Sequence, residues 1–216
     1  MILTEGIKVT LDTKGWALIQ NACADDDLVE VAAGLGEIIP SFPGEPLVDD
    51  LIYPDPKPEA SWLSFEFPGT QPWHTDCPFF EIPPRYCVLQ CIRADNLVYT
   101  DLASPYAGLT SSLRQKLSDE AWRVVGGGSP ALIKVLTEGE RIFRYQPNAM
   151  RPLFHSSSES VQHLQRVCND SIIASPVLKA ADILVFDNWR LLHRRRIGDM
   201  STGRVTVRHI RRVLIR

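Results

Sequence analysis

The apolar positions of the chain fall mainly into short runs with period-two alternation, bounded by turn residues, which is the pattern of strands rather than of long helices. GWALIQ (15–20) is the first such run. Seven follow: SWLSFEF (61–67), RYCVLQCIR (85–93), LVYTDL (97–102), ALIKVL (131–136), RIFRYQ (141–146), DILVF (182–186) and RVTVRHIRRVLI (204–215). Short β-runs separated by turns predict a sandwich or jelly roll rather than a βαβ sheet. Three segments carry helical spacing instead. DDDLVEVAAGLG (25–36) has acids in its first turn and Gly36 at its end. SPYAGLTSSLRQKL (104–117) places Tyr106, Leu109, Leu113 and Leu117 on one face, and residues 156–169 do the same with Val161, Leu164 and Val167 or Cys168, opening on the capping-box pair Ser156 and Glu159. The expected fold is mainly β (α+β), a jelly-roll core with helices packed outside it. Residues 39–58 hold six of the 16 prolines and predict a long surface loop or lid inside one domain spanning 1–216, since no repeat or low-complexity linker divides the chain.

Composition narrows the class. With 216 residues, 44% hydrophobic and 23% charged, the chain has ordinary globular usage, which excludes collagen-like, disordered and coiled-coil proteins. No apolar stretch is long enough to span a membrane, and the start, MILTEGIKVTLDTKG, has no charged segment leading into an apolar one, so no membrane association and no secretory signal are expected. Five cysteines without a C-x-x-C pair read as reduced thiols of a cytoplasmic protein. Cys87 and Cys91, four apart in one strand, read as small core residues on one face. The net charge of −3 hides an asymmetry: residues 190–216 hold nine arginines, no lysine and one acid, Asp199. Such a segment suits a nucleic-acid-binding tail, although the acidic remainder of the chain would not assist it, and no nucleic-acid partner is expected.

Candidate chemistry centres on PWHTDCPFF (72–80). His74 and Asp76, two residues apart on a strand, project from one face and can bind one ion together. A third ligand is offered far along the chain by His193 in DILVFDNWRLLHRRR (182–196), where Asn188 sits in the turn as a candidate to orient the approach to His193. Two histidines and a carboxylate on one face of an ion form the facial triad of non-haem Fe(II) sites. His155, His163 and His209 are rival third ligands. In the last run, Arg208 and Arg212 share a face. In a barrel interior such guanidinium groups call for anions, whereas on an edge strand they would be solvated. Trp73, beside a ligand, is either a pocket wall or a core aromatic.

In this order the segments resemble the Fe(II)/2-oxoglutarate-dependent oxygenases of the taurine dioxygenase type, and more closely their clavaminate synthase-like branch. GWALIQ with the acidic helix and LGEIIP (35–40) resembles the N-terminal module of that family. WHTDCPFFEIPPRYCVLQC (73–91) is similar to its first-ligand segment, RYQPNAMRPLF (144–154) to a strand-turn before a helix, DILVFDNWRLLHRRR to the distal-histidine segment, and RHIRRVLI (208–215) to the closing strand. The resemblance covers most of the chain and implies a double-stranded β-helix with Fe(II) on His74, Asp76 and His193. It also implies that Arg208 holds the distal carboxylate of 2-oxoglutarate and that Arg212 faces the cosubstrate or an acidic group of the substrate. Oxidative decarboxylation of 2-oxoglutarate with O2 would then drive hydroxylation, or desaturation or cyclisation, of a small metabolite, an amino acid or another anionic compound.

The chain departs from the family in two respects. A Gly-Gly-x-Thr element whose threonine helps hold 2-oxoglutarate is replaced by ADNLVYTDLASPY (94–106). Counting back from Tyr106 puts Leu97 at the threonine position, and Thr100 is the substitute on offer, in another register. The chain is also shortened between the metal ligands, which predicts a more open pocket or one completed by a second subunit of a homodimer. Arg194, Arg195 and Arg196 are expected as loop or rim residues at the pocket mouth. Two alternatives stay open on the residues alone: a cupin-like metal enzyme that does not use 2-oxoglutarate, and a non-catalytic binding relative.

Overall fold

The computed structural model describes residues 2–22, 25–53, 70–124, 132–137, 139, 142–147, 149–154, 156–199 and 207–216. Its strands in chain order are β1 Trp16–Ile19, β2 Ile38–Ile39, β3 Asp49–Tyr53, β4 Tyr86–Arg93, β5 Val98–Ala103, β6 Ala121–Val124, β7 Leu132–Lys134, β8 Leu136–Thr137, β9 Ile142–Phe143, β10 Met150–Pro152, β11 Ile172–Ala174, β12 Ile183–Asp187, β13 Leu192–Ile197 and β14 Arg208–Ile215. The helices are α1 Ile2–Lys14, α2 Asp25–Leu35, α3 Ser111–Asp119 and α4 Ser156–Asp170. The fold is mainly β, with antiparallel sheets and helices outside them.

A six-stranded sheet runs β1-β12-β4-β14-β2, with β3 also pairing β14. A three-stranded sheet, β11-β5-β13, faces it. Period-two alternation assigns each side chain to a layer. Cys87, Leu89 and Cys91 of β4, Leu184 and Phe186 of β12, and Ile210 and Leu214 of β14 point inward and pack with Leu102 of β5. The residues between them, Tyr86, Val88, Ile183, Val185, Val213 and Ile215, point outward and are covered by Ile7 and Leu11 of α1 and Leu28, Val31 and Ala32 of α2. On the far side α3 and α4 cover the smaller sheet, with Leu113, Leu117 and Leu164 against Trp122, Phe143 and Leu192. Strands covered on both faces read as continuous apolar runs, which is why 85–93 and 182–186 are so plain in the sequence.

Several sequence expectations change. Residues 2–14, rich in β-branched Ile, Val and Thr, carry no helical prediction, yet form α1, because Ile7 and Leu11 on adjacent turns bury one face. Gly15 closes this helix at φ +79, with its N–H bonded to the Leu11 carbonyl. The helix expected over 104–117 is broken. A 3-10 turn spans Pro105–Gly108, and Thr110 then caps α3 by accepting the Leu113 N–H. The proline-rich 39–58 is not all loop: Asp49–Tyr53, free of proline, forms the edge strand β3 beside β14. Residues 54–58 and the run 61–67 lie outside the described residues. Arg194, Arg195 and Arg196 are strand residues of β13, paired with Asp101, Thr100 and Tyr99 of β5, and not loop.

Candidate functional site

The inward faces of the two sheets carry the polar cluster. An isolated antiparallel bridge joins His74 to His193, each N–H bonding the other's carbonyl at 3.0 and 2.9 Å. Their rings thereby lie side by side, with centroids 4.2 Å apart. Asp76, two residues on, falls on the same face, and ligand atoms of His74, Asp76 and His193 all lie within 4.8 Å of one another. All three are buried.

The surroundings fix each group. His74 Nδ1 lies 3.0 Å from the Pro72 carbonyl, which sets the ring as an Nδ1–H donor and directs the Nε2 lone pair into the cluster. Burial lowers the His74 pKa, with Asp76 opposing, and burial followed by the influence of His74 lowers that of His193 to about 3. Both rings are therefore neutral at neutral pH and free to ligate. Burial would raise the Asp76 carboxyl, but Arg212, then His193 and His74, bring it down to about 2. Asp76 Oδ2 accepts from the Cys87 thiol at 3.3 Å and stands 3.8 Å from His193 Nε2, too far for a hydrogen bond. The buried Nδ1 of His193 has no hydrogen-bond partner among the described residues. Neutral imidazoles, an ionised carboxylate and a ring left without hydrogen bonds in the interior form a donor set that fits a divalent transition metal with open positions.

Asn188 holds this arrangement from behind. Fully buried, its side-chain oxygen accepts from the Asp76 N–H at 2.8 Å, and its amide donates to the Asp76 and Pro84 carbonyls at 3.1 and 2.9 Å. It thus secures the Asp76 turn, rather than the approach to His193 expected from its place in the chain. Asn188→Ala would strand three buried backbone groups and is expected to destabilise the protein by about 3 kcal/mol or more, measured by urea unfolding.

The structure separates the two arginines of β14. Arg208, 6% exposed, donates through Nη2 to Thr100 Oγ1 at 2.7 Å, so Thr100 meets Arg208 from the facing sheet. Among the described residues no carboxylate pairs with Arg208, and burial lowers its pKa to about 10. Arg212, expected to face the cosubstrate or an acidic substrate group, is instead engaged by the protein's own acids. Nη1 bonds Asp76 Oδ1 at 2.8 Å, Nε and Nη2 bond Asp49 Oδ2 at 3.1 and 2.8 Å, and Nη2 bonds Ser41 Oγ at 2.9 Å. The signal for this clamp is Asp49 at the start of β3, but only the strand pairing brings it to β14.

Trp73 lies on the opposite face from His74. It is fully buried beneath α4, with Nε1 donating to Asn169 Oδ1 at 2.9 Å and the Arg194 guanidinium 4.2 Å above its ring. It is a core aromatic and not a pocket wall. His163 lies on α4 beside an unrelated surface groove, His209 bonds Asp50 at 2.6 Å, and His155 lies outside the described residues. The wall of the pocket comes from elsewhere: a cavity of about 370 Å³ opens beside Asp76, lined by Phe42, Glu45, Asp49, Asp50, Phe79 and Gln146 among others. Phe42 and Phe79 stack at 5.0 Å.

The buried histidines have a consequence for the metal-free protein. In the unfolded chain each takes up a proton below about pH 6.5, whereas folded His193 does so only near pH 3. The unfolded state therefore binds more protons in this window, and stability falls as pH drops from about 6.5 toward 3. Asp76, depressed from 3.8 to about 2, adds a loss of the same sign at the acid end. The urea midpoint of the metal-free protein is expected to be lower at pH 5 than at pH 7.5, and an equal midpoint would contradict the neutral, buried state of both rings.

No protein-family model and no curated protein sequence matches the chain. Solved structures do share its fold. An asparagine oxygenase in complex with Fe(II), 2S,3S-3-hydroxyasparagine and succinate aligns with a TM-score of 0.80 at 17% identity, over 99% of this chain and 79% of that one. The non-heme iron oxygenase OrfP in complex with Fe and alpha-ketoglutaric acid aligns with a TM-score of 0.74 at 18% identity, over 99% and 78%. PvcB from Pseudomonas aeruginosa aligns with a TM-score of 0.71 at 18% identity, over 98% and 79%. At these identities the likeness is one of fold.

Proposed function

We propose that the chain is a single-domain oxygenase with a double-stranded β-helix core that uses Fe(II), 2-oxoglutarate and O2 to hydroxylate a small amino acid-like metabolite. The observation that carries this reading is the buried cluster of His74, Asp76 and His193 in the same interior as Arg208, a buried guanidinium with no carboxylate partner among the described residues. The facing sheets β11-β5-β13 and β1-β12-β4-β14-β2 support the β-helix assignment. The iron oxygenases that share the fold were solved with succinate, 2-oxoglutarate or hydroxylated amino acids, one of them (3S)-hydroxy-L-Arg.

His74, Asp76 and His193 would hold the iron on one face and leave the opposite positions for the cosubstrate and O2. Arg208, steadied by Thr100, would bind the distal carboxylate of 2-oxoglutarate. When bound, the iron with 2-oxoglutarate and O2 supplies a reaction in which one oxygen atom goes into succinate with loss of CO2 and the other into a C–H bond of the substrate. Arg212 keeps Asp76 ionised and oriented for the metal, and Asn188 fixes the backbone that carries it. Because Asp49 and Asp76 take up the Arg212 charge and Asp50 is engaged by His209 and Arg211, the cavity beside Asp76 presents Glu45 near the stacked rings of Phe42 and Phe79. An acidic and aromatic lining suits a substrate with an ammonium group, which favours an amino acid over a purely anionic compound.

The test is succinate formation with Fe(II), 2-oxoglutarate and O2 across a panel of amino acids and small acids. The proposal expects release that needs all three components and rises with one or a few amino acids. Turnover with iron and O2 alone, or none with any compound in the presence of bound iron, would overturn it.

A further inference from the structure

One tight turn brings three different groups to the cavity beside Asp76. The Glu45 N–H bonds the Phe42 carbonyl at 3.0 Å, and Gly44 reverses the chain at φ +89. Ser41, just before the turn, bonds Asp49 and Arg212. Phe42 stacks on Phe79. Glu45 lines the cavity with an exposed side chain that makes no hydrogen bond or ion pair among the described residues.

Arg212 is the one cation lining this cavity among the described residues, and the protein itself engages it. All three guanidinium nitrogens donate inward: Nη1 to Asp76, Nε to Asp49, and Nη2 to both Asp49 and Ser41. A guanidinium grips a carboxylate through a pair of parallel N–H donors, and no such pair is left over. Releasing Arg212 toward a ligand would strip a buried acid of its counter-charge, which is strongly unfavourable. A free carboxylate entering the cavity would therefore face Glu45 and Asp49 with no cation to receive it, whereas an ammonium group meets an unengaged carboxylate and aromatic rings.

We propose that the preferred substrate is an amine whose neighbouring carboxyl is uncharged, bonded as an amide or ester. Glu45 receives the ammonium group, and the internal engagement of Arg212 discriminates against a free carboxylate. This rests on the function proposed above and narrows its substrate from amino acids to their carboxyl-masked forms. The selectivity comes from what the site refuses as much as from what it holds. Val48 and Leu51 beside the stacked rings leave an apolar wall for the body of the substrate.

The test is succinate release by the full chain with Fe(II), 2-oxoglutarate and O2, comparing each common amino acid with its own primary amide, L-leucine with L-leucinamide and L-phenylalanine with L-phenylalaninamide among them. For whichever side chain stimulates release, kcat/KM for the amide is expected to exceed that for the free acid by about tenfold or more, the effect of placing like charges together. A free acid equal to or better than its amide would overturn the inference and leave the oxygenase reading intact. Glu45→Gln, an isosteric change at an exposed position, is expected to raise KM for the amide by about tenfold, the loss of a charged hydrogen bond, while the visible absorption of the iron chelate with 2-oxoglutarate keeps its wild-type strength. An unchanged KM would overturn the inference as well. No release with any compound of either series, from protein that binds Fe(II), would refute the oxygenase reading itself, an outcome distinct from a preference for free acids.

Discussion

His193→Leu is expected to abolish Fe(II) binding and 2-oxoglutarate turnover, by more than about a thousandfold, while the metal-free protein becomes no less stable. Loss of a residue one shell outside a metal already costs about 10–100-fold, and His193 is one of the three proposed ligands. The stability half follows from its surroundings. In the metal-free protein its ring makes no hydrogen bond to a described residue, and its neighbours are the His74 ring at 4.2 Å and the Phe186 ring at 4.7 Å. An apolar side chain of similar reach removes a buried, unsatisfied polar group and keeps the packing, a change of about 1 kcal/mol in favour of the folded state. Urea unfolding of the metal-free variant checks this, and a loss well beyond 1 kcal/mol would mean that His193 is structurally partnered.

Arg212→Met is expected to do the opposite. Its guanidinium is held charged, despite burial, by the carboxylates of Asp76 and Asp49, and it ties three separate segments together through Ser41, Asp49 and Asp76. Methionine fills similar space but leaves the buried Asp76 without its main counter-charge. Removing one partner of a buried pair costs about 3–5 kcal/mol, and urea unfolding at pH 7.5 should show a loss of that order. The Asp76 carboxyl should also become a weaker acid, since Arg212 is the largest influence holding it down. A carboxylate must be ionised to bind metal, so the acid limb of Fe(II) binding should move to higher pH in this variant. An unmoved limb would show that Asp76 owes its acidity to something else.

Sequence reading and structure agree where one physical rule decides the outcome. Strands β4 and β12 are buried on both faces and read as apolar runs, and the first half of β14 alternates, so their existence and the shared face of Arg208 and Arg212 are legible in the chain. His74, Asp76 and His193 were also readable, because an i, i+2 pair needs only a strand and a distant third ligand needs only a fold that brings strand ends together. What alternation does not reveal is the opposite side. That Arg212 meets Asp49 depends on β3, a five-residue edge strand inside a proline-rich stretch. That Thr100 reaches Arg208 depends on how two sheets face each other, which counting along one chain cannot give. Trp73 was ambiguous for the same reason: its face is fixed by the bridge between His74 and His193. Helix α1 escaped because its β-branched residues have weak helix propensity, and burial of Ile7 and Leu11 overrides it. The arginine-rich end reads as a tail only in one dimension. In the fold, Arg194 and Arg196 hold Asp101, Arg190 bonds the Leu11 and Asp12 carbonyls at the end of α1, and Arg208 and Arg212 are interior.

The most direct measurement is anaerobic addition of Fe(II) and then 2-oxoglutarate to the purified protein, followed by visible absorption. A weak band from the iron chelate is expected in the wild type and is expected to vanish in His74→Ala. A wild type without the band, or a His74→Ala variant that keeps it, would contradict the assignment of His74, Asp76 and His193 as an iron site for a 2-oxo acid.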